Sequence, residues 1–183
     1  MSHSGNSGGS SSRGDRSKGI ELYRQFVEGG SLDIHRKLGF DAMSGMLIKA
    51  DAKAERDLES VFSPAESDIQ AYKGLPVTEE DLERIRSGSF KNPTISSTTT
   101  SKVTAQDYAN NADYEMTVPL TMNIRIKKGV KIANARKLLG SGGMKGYEKE
   151  ITVWKGTTWS YRNLVRHENS YGDEYYTVDV VVR

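Results

Sequence analysis

The chain has 183 residues, enough for one domain with a substantial buried core, and a formal net charge of +2. So small a charge argues against nucleic acid as an obligatory partner, and no apolar run is long enough to cross a bilayer, so no membrane association is expected. Cysteine is absent, which excludes disulfides, zinc–thiolate sites and thiol nucleophiles and fits a cytoplasmic protein.

Residues 1–18 are almost all Ser, Gly, Asn, Arg and Asp, too polar to offset the entropy of ordering them, and are expected to form a disordered tail. The remainder, 19–183, is expected to fold as a single α+β domain. Helical periodicity opens it: Ile20, Tyr23 and Val27 recur at i, i+3 and i+7. Met43, Met46, Leu47 and Ala50 repeat the period, so both methionines are expected in the core. A charged helix-forming run follows over 51–58, and Ser63-Pro64-Ala65-Glu66 has the form of a capping box.

Ile69 and Ala71 begin a short strand ending near Gly74, and Thr78 with Asp81 caps a helix that points Leu82 and Ile85 inward and stops at Gly88. Residues 94–100, β-branched and hydroxyl-rich, read as a strand, and Thr104 with Asp107 as the cap of another helix. From 118 to 126 the alternation of apolar and polar residues is that of a half-buried strand, with Pro119 marking an edge or bulge. Further strands are expected at 130–133, 148–154, 158–164 and 176–182. Helices before strands, with no internal repeat, point to an α+β layered domain. His3, His35 and His167 lack metal-ligand spacing, so no metal is expected.

Glu148 and Glu150, two apart on one strand, point to the same face, where like charges repel unless the face is wet or the pair has a task. The glycine-rich run 140–146 leads into them. It is not a Walker-type phosphate loop, because Lys145 is followed by Gly146, Tyr147 and a strand rather than by Ser or Thr opening a helix. A solvated strand edge after a mobile turn would also account for these residues.

The order of Tyr72-Lys73-Gly74, then Ser97-Thr98-Thr99, then Glu148-Lys149-Glu150 resembles the Arg-Ser-Glu class of mono-ADP-ribosyltransferases, which includes arginine-specific bacterial toxins and modifying enzymes of T-even bacteriophages. The resemblance runs over roughly 68–154. It implies a split β-sandwich of two packed sheets with N-terminal helices, and NAD in the cleft between the sheets. Glu150 takes the place of the catalytic glutamate, which bonds the ribose 2′-hydroxyl and stabilises an oxocarbenium-like state. Glu148 would orient the acceptor and take its proton, with Tyr147 packing on the substrate. The Glu-x-Glu pattern implies arginine as acceptor, since a carboxylate suits a guanidinium. Ser97 would orient Glu150 and the ribose, Thr98 and Thr99 would floor the pocket, and Gly74, beside Tyr72, would let the nicotinamide approach the backbone.

One position departs from the pattern: the family has arginine where this chain has Lys73, a point charge in place of a planar fork. NAD binding is expected to survive and turnover to slow. The implied partners are NAD and a target protein bearing the acceptor arginine, a host transcription or translation protein in the bacterial cytoplasm. Two alternatives stay open. One is a weak or inactive NAD-binding module on the same fold. The other is an RNA- or ribosome-associated protein using Lys127, Lys128, Lys131, Arg136, Lys137 and Lys145 with Tyr147, Trp154 and Trp159 nearby.

Overall fold

The computed structural model describes residues 13–111, 116–140, 147 and 149–183. Three helices come first: α1 (Arg16–Val27), α2 (Ser31–Lys37) and α3 (Ala52–Glu59), with a hairpin of β1 (Phe40–Asp41) and β2 (Met46–Leu47) before the third. Helix α1 starts inside the stretch expected to be disordered. Asp15 explains the early start: its carboxylate accepts from the Lys18 N–H as an N-cap, and its own N–H donates to Asp57 Oδ1 on α3 at 2.8 Å. Close approach of the two helices also requires Gly19, where a Cβ would lie 2.1 Å from the Asp57 carbonyl oxygen.

The expectation for the methionines fails. Met43 and Met46 sit in the β1–β2 hairpin and are 82% and 64% exposed. Asp41 wins over the apolar period there, because its carboxylate accepts from the N–H groups of Met43 and Ser44 and folds the segment into a turn. Residues 63–66 do not start a helix either: β3 (Ser63–Pro64) pairs with β8 instead.

The sheet strands are β4 (Ile69–Val77), β5 (Ser89–Lys91), β6 (Ser96–Thr99), β7 (Val118–Ile126), β8 (Lys131–Asn134), β9 (Glu150–Val153), β10 (Thr158–Glu168) and β11 (Glu174–Val182). Helices α4 (Glu79–Arg86), α5 (Lys102–Asn111) and α6 (Ala135–Leu139) lie between them. The Thr78–Asp81 capping box forms at α4 as expected. Helix α5 begins earlier than expected, because Ser101, not Thr104, accepts the first-turn bond from the Thr104 N–H.

The nine strands β3 to β11 form one curled sheet in the order β3-β8-β9-β6-β4-β7-β11-β10-β5, antiparallel throughout except β7 with β11. Its two halves meet at one residue pair, Tyr72 on β4 with Thr99 on β6. The split sandwich is therefore two half-sheets sharing a single bridge. Two cores pack against the sheet, and the larger draws on strands of both halves, including Ile151 and Val153 of β9. Leu120, Ile124 and Ile126 of β7, fully buried, anchor the larger one, at about 1.5–3 kcal/mol per side chain. Tyr23, Ile34, Leu38 and Leu58 anchor the smaller one under the N-terminal helices.

Strand β7 is central rather than at an edge. Pro119 is tolerated because it sits at the strand start, facing Pro76 on β4 and one residue before the β11 ladder begins at Leu120. Gly74 lies beneath α5, where a Cβ would come within 1.6 Å of the Ala105 carbonyl oxygen. Gly74→Ala is expected to push α5 off β4 and lower stability by about 3 kcal/mol, read as a reduced urea midpoint.

Candidate active site

The β4–β6 ladder stops after Tyr72–Thr99. Had it continued, its register would set Lys73 against Thr98 and Gly74 against Ser97. Instead the strands part, and a cavity of about 340 Å³ opens between them, roofed by α1, the start of α2, and α5. Lys73 bridges the gap: its Nζ donates to the Ser97 carbonyl oxygen at 2.8 Å. That bond replaces the missing rung with a charged one.

On the far side of β6, strand β9 supplies Glu150, paired in register with Thr99. Three groups act on its carboxylate. Thr152 Oγ1 donates to Oε2 at 2.8 Å, Ser97 Oγ makes a longer contact to the same oxygen at 3.4 Å, and the Lys73 ammonium attracts it. Burial still dominates and pushes the Glu150 carboxyl above its ordinary value. The same burial holds the Lys73 ammonium below its ordinary value, opposed by Glu150. His35, on α2, hydrogen-bonds Thr94 Oγ1 through Nδ1 at 2.6 Å; burial and then the charge of Lys73 keep its imidazole basicity low. The cleft thus holds an acid and a base, each pressed toward its neutral form by burial and each drawn back toward its charged form by the other.

Of the expected site residues, Tyr72, Lys73, Gly74, Ser97, Thr98, Thr99 and Glu150 all line this one cleft. Thr98 is buried and fixes β9 by donating from Oγ1 to the Ile151 carbonyl at 2.7 Å. Gly74 is needed first for the approach of α5 described above. Tyr147 does not line the cleft: it is 4% exposed within the smaller core, and its carbonyl accepts from the Glu150 N–H at 2.9 Å. Glu148 and residues 141–146, including Lys145, lie outside the described residues.

The sequence reading missed several cleft residues. Phe26 and Tyr108 bring aromatic rings from α1 and α5, and Ser31 and Thr104 bring hydroxyls. Thr152 was within reach, since strand alternation places it on the face of Glu150. Tyr23, whose hydroxyl lies 2.9 Å from Thr152 Oγ1, reads in sequence only as one member of an apolar helix stripe. The basic tract fares worse. Trp154, Trp159 and Tyr147 are buried, while Lys127 and Lys131 pair with Asp68 and Glu59 at 3.0 and 2.9 Å. Those rings offer no platform for stacking bases.

No family profile matches the chain, and no curated protein sequence does. Solved structures do match. The ADP-ribosylating toxin BECa of C. perfringens, solved with NADH, aligns over 91% of this chain with a TM-score of 0.60 and 14% identity. Vis, an ADP-ribosyltransferase of Vibrio splendidus solved with agmatine, aligns over 90% with a TM-score of 0.58 and 16% identity. C3larvin, an ADP-ribosyltransferase of Paenibacillus larvae, aligns over 89% with a TM-score of 0.55 and 15% identity. The chain has the fold of the ADP-ribosylating toxins. It spans 43% of the BECa chain, 74% of Vis and 86% of C3larvin. In this fold the cleft between the half-sheets is formed by β4, β6 and β9, the strands that carry Lys73, Ser97 and Glu150.

The raised Glu150 carboxyl carries a stability consequence. A carboxyl whose folded value exceeds its unfolded one contributes stability below its ordinary value of 4.5, and that contribution is lost as pH rises through the folded value. Glu150→Gln is therefore expected to melt above the parent at pH 8. The difference should shrink as pH falls toward 4.5, a trend that thermal melts across pH would read directly.

Proposed function

We propose that the protein is an NAD-dependent mono-ADP-ribosyltransferase that transfers ADP-ribose from NAD to an arginine of a partner protein and releases nicotinamide. The observation that carries this reading is the meeting of Lys73, Ser97 and Glu150 in one cleft, at the single junction of the two half-sheets of a toxin-type fold. In the reaction the bond from ribose C1 to the nicotinamide nitrogen breaks, and its electron pair leaves with nicotinamide. A guanidinium nitrogen of the acceptor then bonds C1 and loses a proton. Positive charge develops on the ribose between the two events, and Glu150, ionised and fixed through Oε2, stabilises it.

Glu148 is the group we assign to orienting the guanidinium and receiving its proton. Tyr147 is assigned to anchoring the chain that leads into β9, consistent with its burial and its carbonyl bond to Glu150. Arginine as acceptor is supported by the Glu-x-Glu pattern and by Vis having been solved with agmatine, itself a guanidinium compound. NAD as donor is supported by BECa having been solved with NADH. We place the target protein in the bacterial cytoplasm.

Lys73 attenuates this copy. Its ammonium is committed to the Ser97 carbonyl and feels the charge of Glu150, which leaves it poorly placed to fork onto a phosphate as arginine would. The same observation favours a second reading, a module that binds NAD without transferring it.

The test is transfer of labelled NAD to agmatine and to proteins of a bacterial lysate. Glu150→Ala should lose about 100-fold or more in rate, and Lys73→Arg should gain turnover. Label that is released by arginine-directed chemistry would establish the acceptor. NAD binding without transfer or hydrolysis, by both the parent and Lys73→Arg, would instead establish the binding module. Loss of NAD binding altogether would end the transferase reading.

A further inference from the structure

We infer that Tyr23 and Thr152 form a directed hydroxyl chain that positions Glu150, so that a residue of the first helix sets the orientation of the carboxylate. The inference rests on the transferase reading for its functional meaning, but its geometry stands apart from it.

The direction of the chain follows from donor and acceptor bookkeeping. An ionised carboxylate only accepts, so the 2.8 Å contact between Thr152 Oγ1 and Glu150 Oε2 uses the single threonine proton. The 2.9 Å contact between Tyr23 OH and Thr152 Oγ1 must then run from the phenol to the threonine. The phenol also lies 3.4 Å from the Ala133 carbonyl oxygen, a distant competitor for the same proton. Tyr23 and Thr152 are both fully buried, so bulk water does not substitute for either link.

Each member is itself fixed. Thr152 is β-branched and stiff in a strand, and Ile151 and Val153 on either side of it are buried in the larger core. The Tyr23 ring is held by Phe26 and by the edge of Phe62, at centroid distances of 6.5 and 6.0 Å. The chain therefore links α1, packed in the smaller core, to the carboxylate at the lip of the cleft. Thr152 and Ser97 both address Oε2, and no described residue donates to Oε1. Oε1 is thereby left for a hydroxyl of the substrate. Among the described residues Lys73 on β4 is the charged group that acts on Glu150; Glu150 in turn acts on Tyr23 of α1, and Lys73 on His35 of α2.

A buried tyrosine that merely satisfies its hydroxyl would show none of the following. The measurement is kcat and KM for transfer to agmatine across pH, with thermal melts, for the parent, Thr152→Val, Thr152→Ser and Tyr23→Phe. Thr152→Val should lose about 10–100-fold in kcat with KM for NAD little changed, and the acid limb of kcat should move to higher pH because the ionised carboxylate has lost a donor. Thr152→Ser should restore most of the rate and the acid limb. Tyr23→Phe should move both in the same direction by less, since it weakens the chain without removing the direct bond.

A carbon-13 NMR titration of the Glu150 carboxyl in the same folded variants reads the chain without any turnover. An upward shift of its midpoint in Thr152→Val, reversed in Thr152→Ser, supports the chain even if the parent transfers nothing, in which case only the transferase reading fails. An unchanged midpoint in folded Thr152→Val overturns the chain, whatever the rates. Rates that fall with an unmoved acid limb and in proportion to lost thermal stability overturn it as well.

Discussion

The single bridge between β4 and β6 is the constraint on which the rest depends. A continuous ladder there would give a closed sheet with no space between its halves. Stopping it at Tyr72–Thr99 leaves unpaired backbone at the point where the two half-sheets meet. Unpaired buried carbonyls are costly, and here the Ser97 carbonyl is satisfied by the ammonium of Lys73. The same side chain thus keeps the strands apart, closes the broken hydrogen bonding and brings a positive charge beside Glu150. Helix α5 occupies the neighbouring position over Gly74, so the opening is held from the other side by packing.

A charge pair in such a place works against the fold as much as for it. Burial raises the Glu150 carboxyl and lowers the Lys73 ammonium, and each is returned toward its charged form by the other and by hydroxyls. Taking two ions from water costs several kcal/mol apiece, and their mutual attraction recovers only part of it unless the remaining lone pairs are satisfied. Hydrophobic residues in these positions would serve stability better. The polar residues that stand there instead, with Ser97 and Thr152 directed at one carboxylate oxygen, suit the chemistry at a developing charge proposed for this cleft.

The parts of this arrangement legible in the sequence are those that use local rules. Strand alternation gave β7, and the Thr78–Asp81 box marked α4 correctly. The order of Tyr72-Lys73-Gly74, Ser97-Thr98-Thr99 and Glu150 anticipated one cleft, and these residues do meet. What local rules missed was decided by distant partners. Met43 and Met46 carry a helical period, yet Asp41 turns the chain and leaves them in solvent. Ser63 and Pro64 carry a capping pattern, yet the edge of β8 recruits them as a strand. Tyr23 lies 129 residues from Thr152, and no periodicity distinguishes its hydroxyl from an ordinary core phenol. Gly74 lines the cleft as expected, and its close packing under the Ala105 carbonyl, set by a helix far along the chain, has no local signal.

Lysine at position 73 also changes how the junction is closed. A guanidinium carries five donors in a rigid plane, so it can bond a strand carbonyl and a second acceptor from one fixed position. An ammonium on a flexible stem satisfies the carbonyl of Ser97 and leans toward Glu150, but it has no rigid second fork with which to fix a phosphate. Strand separation needs only the first of these bonds, and phosphate alignment needs both. In the proposed reaction Lys73 would therefore preserve the architecture of the cleft while holding an entering phosphate less rigidly than arginine would. This explains how a chain can keep the whole fold, with Ser97, Thr152 and Glu150 in register, and still depart from the pattern at its most basic position.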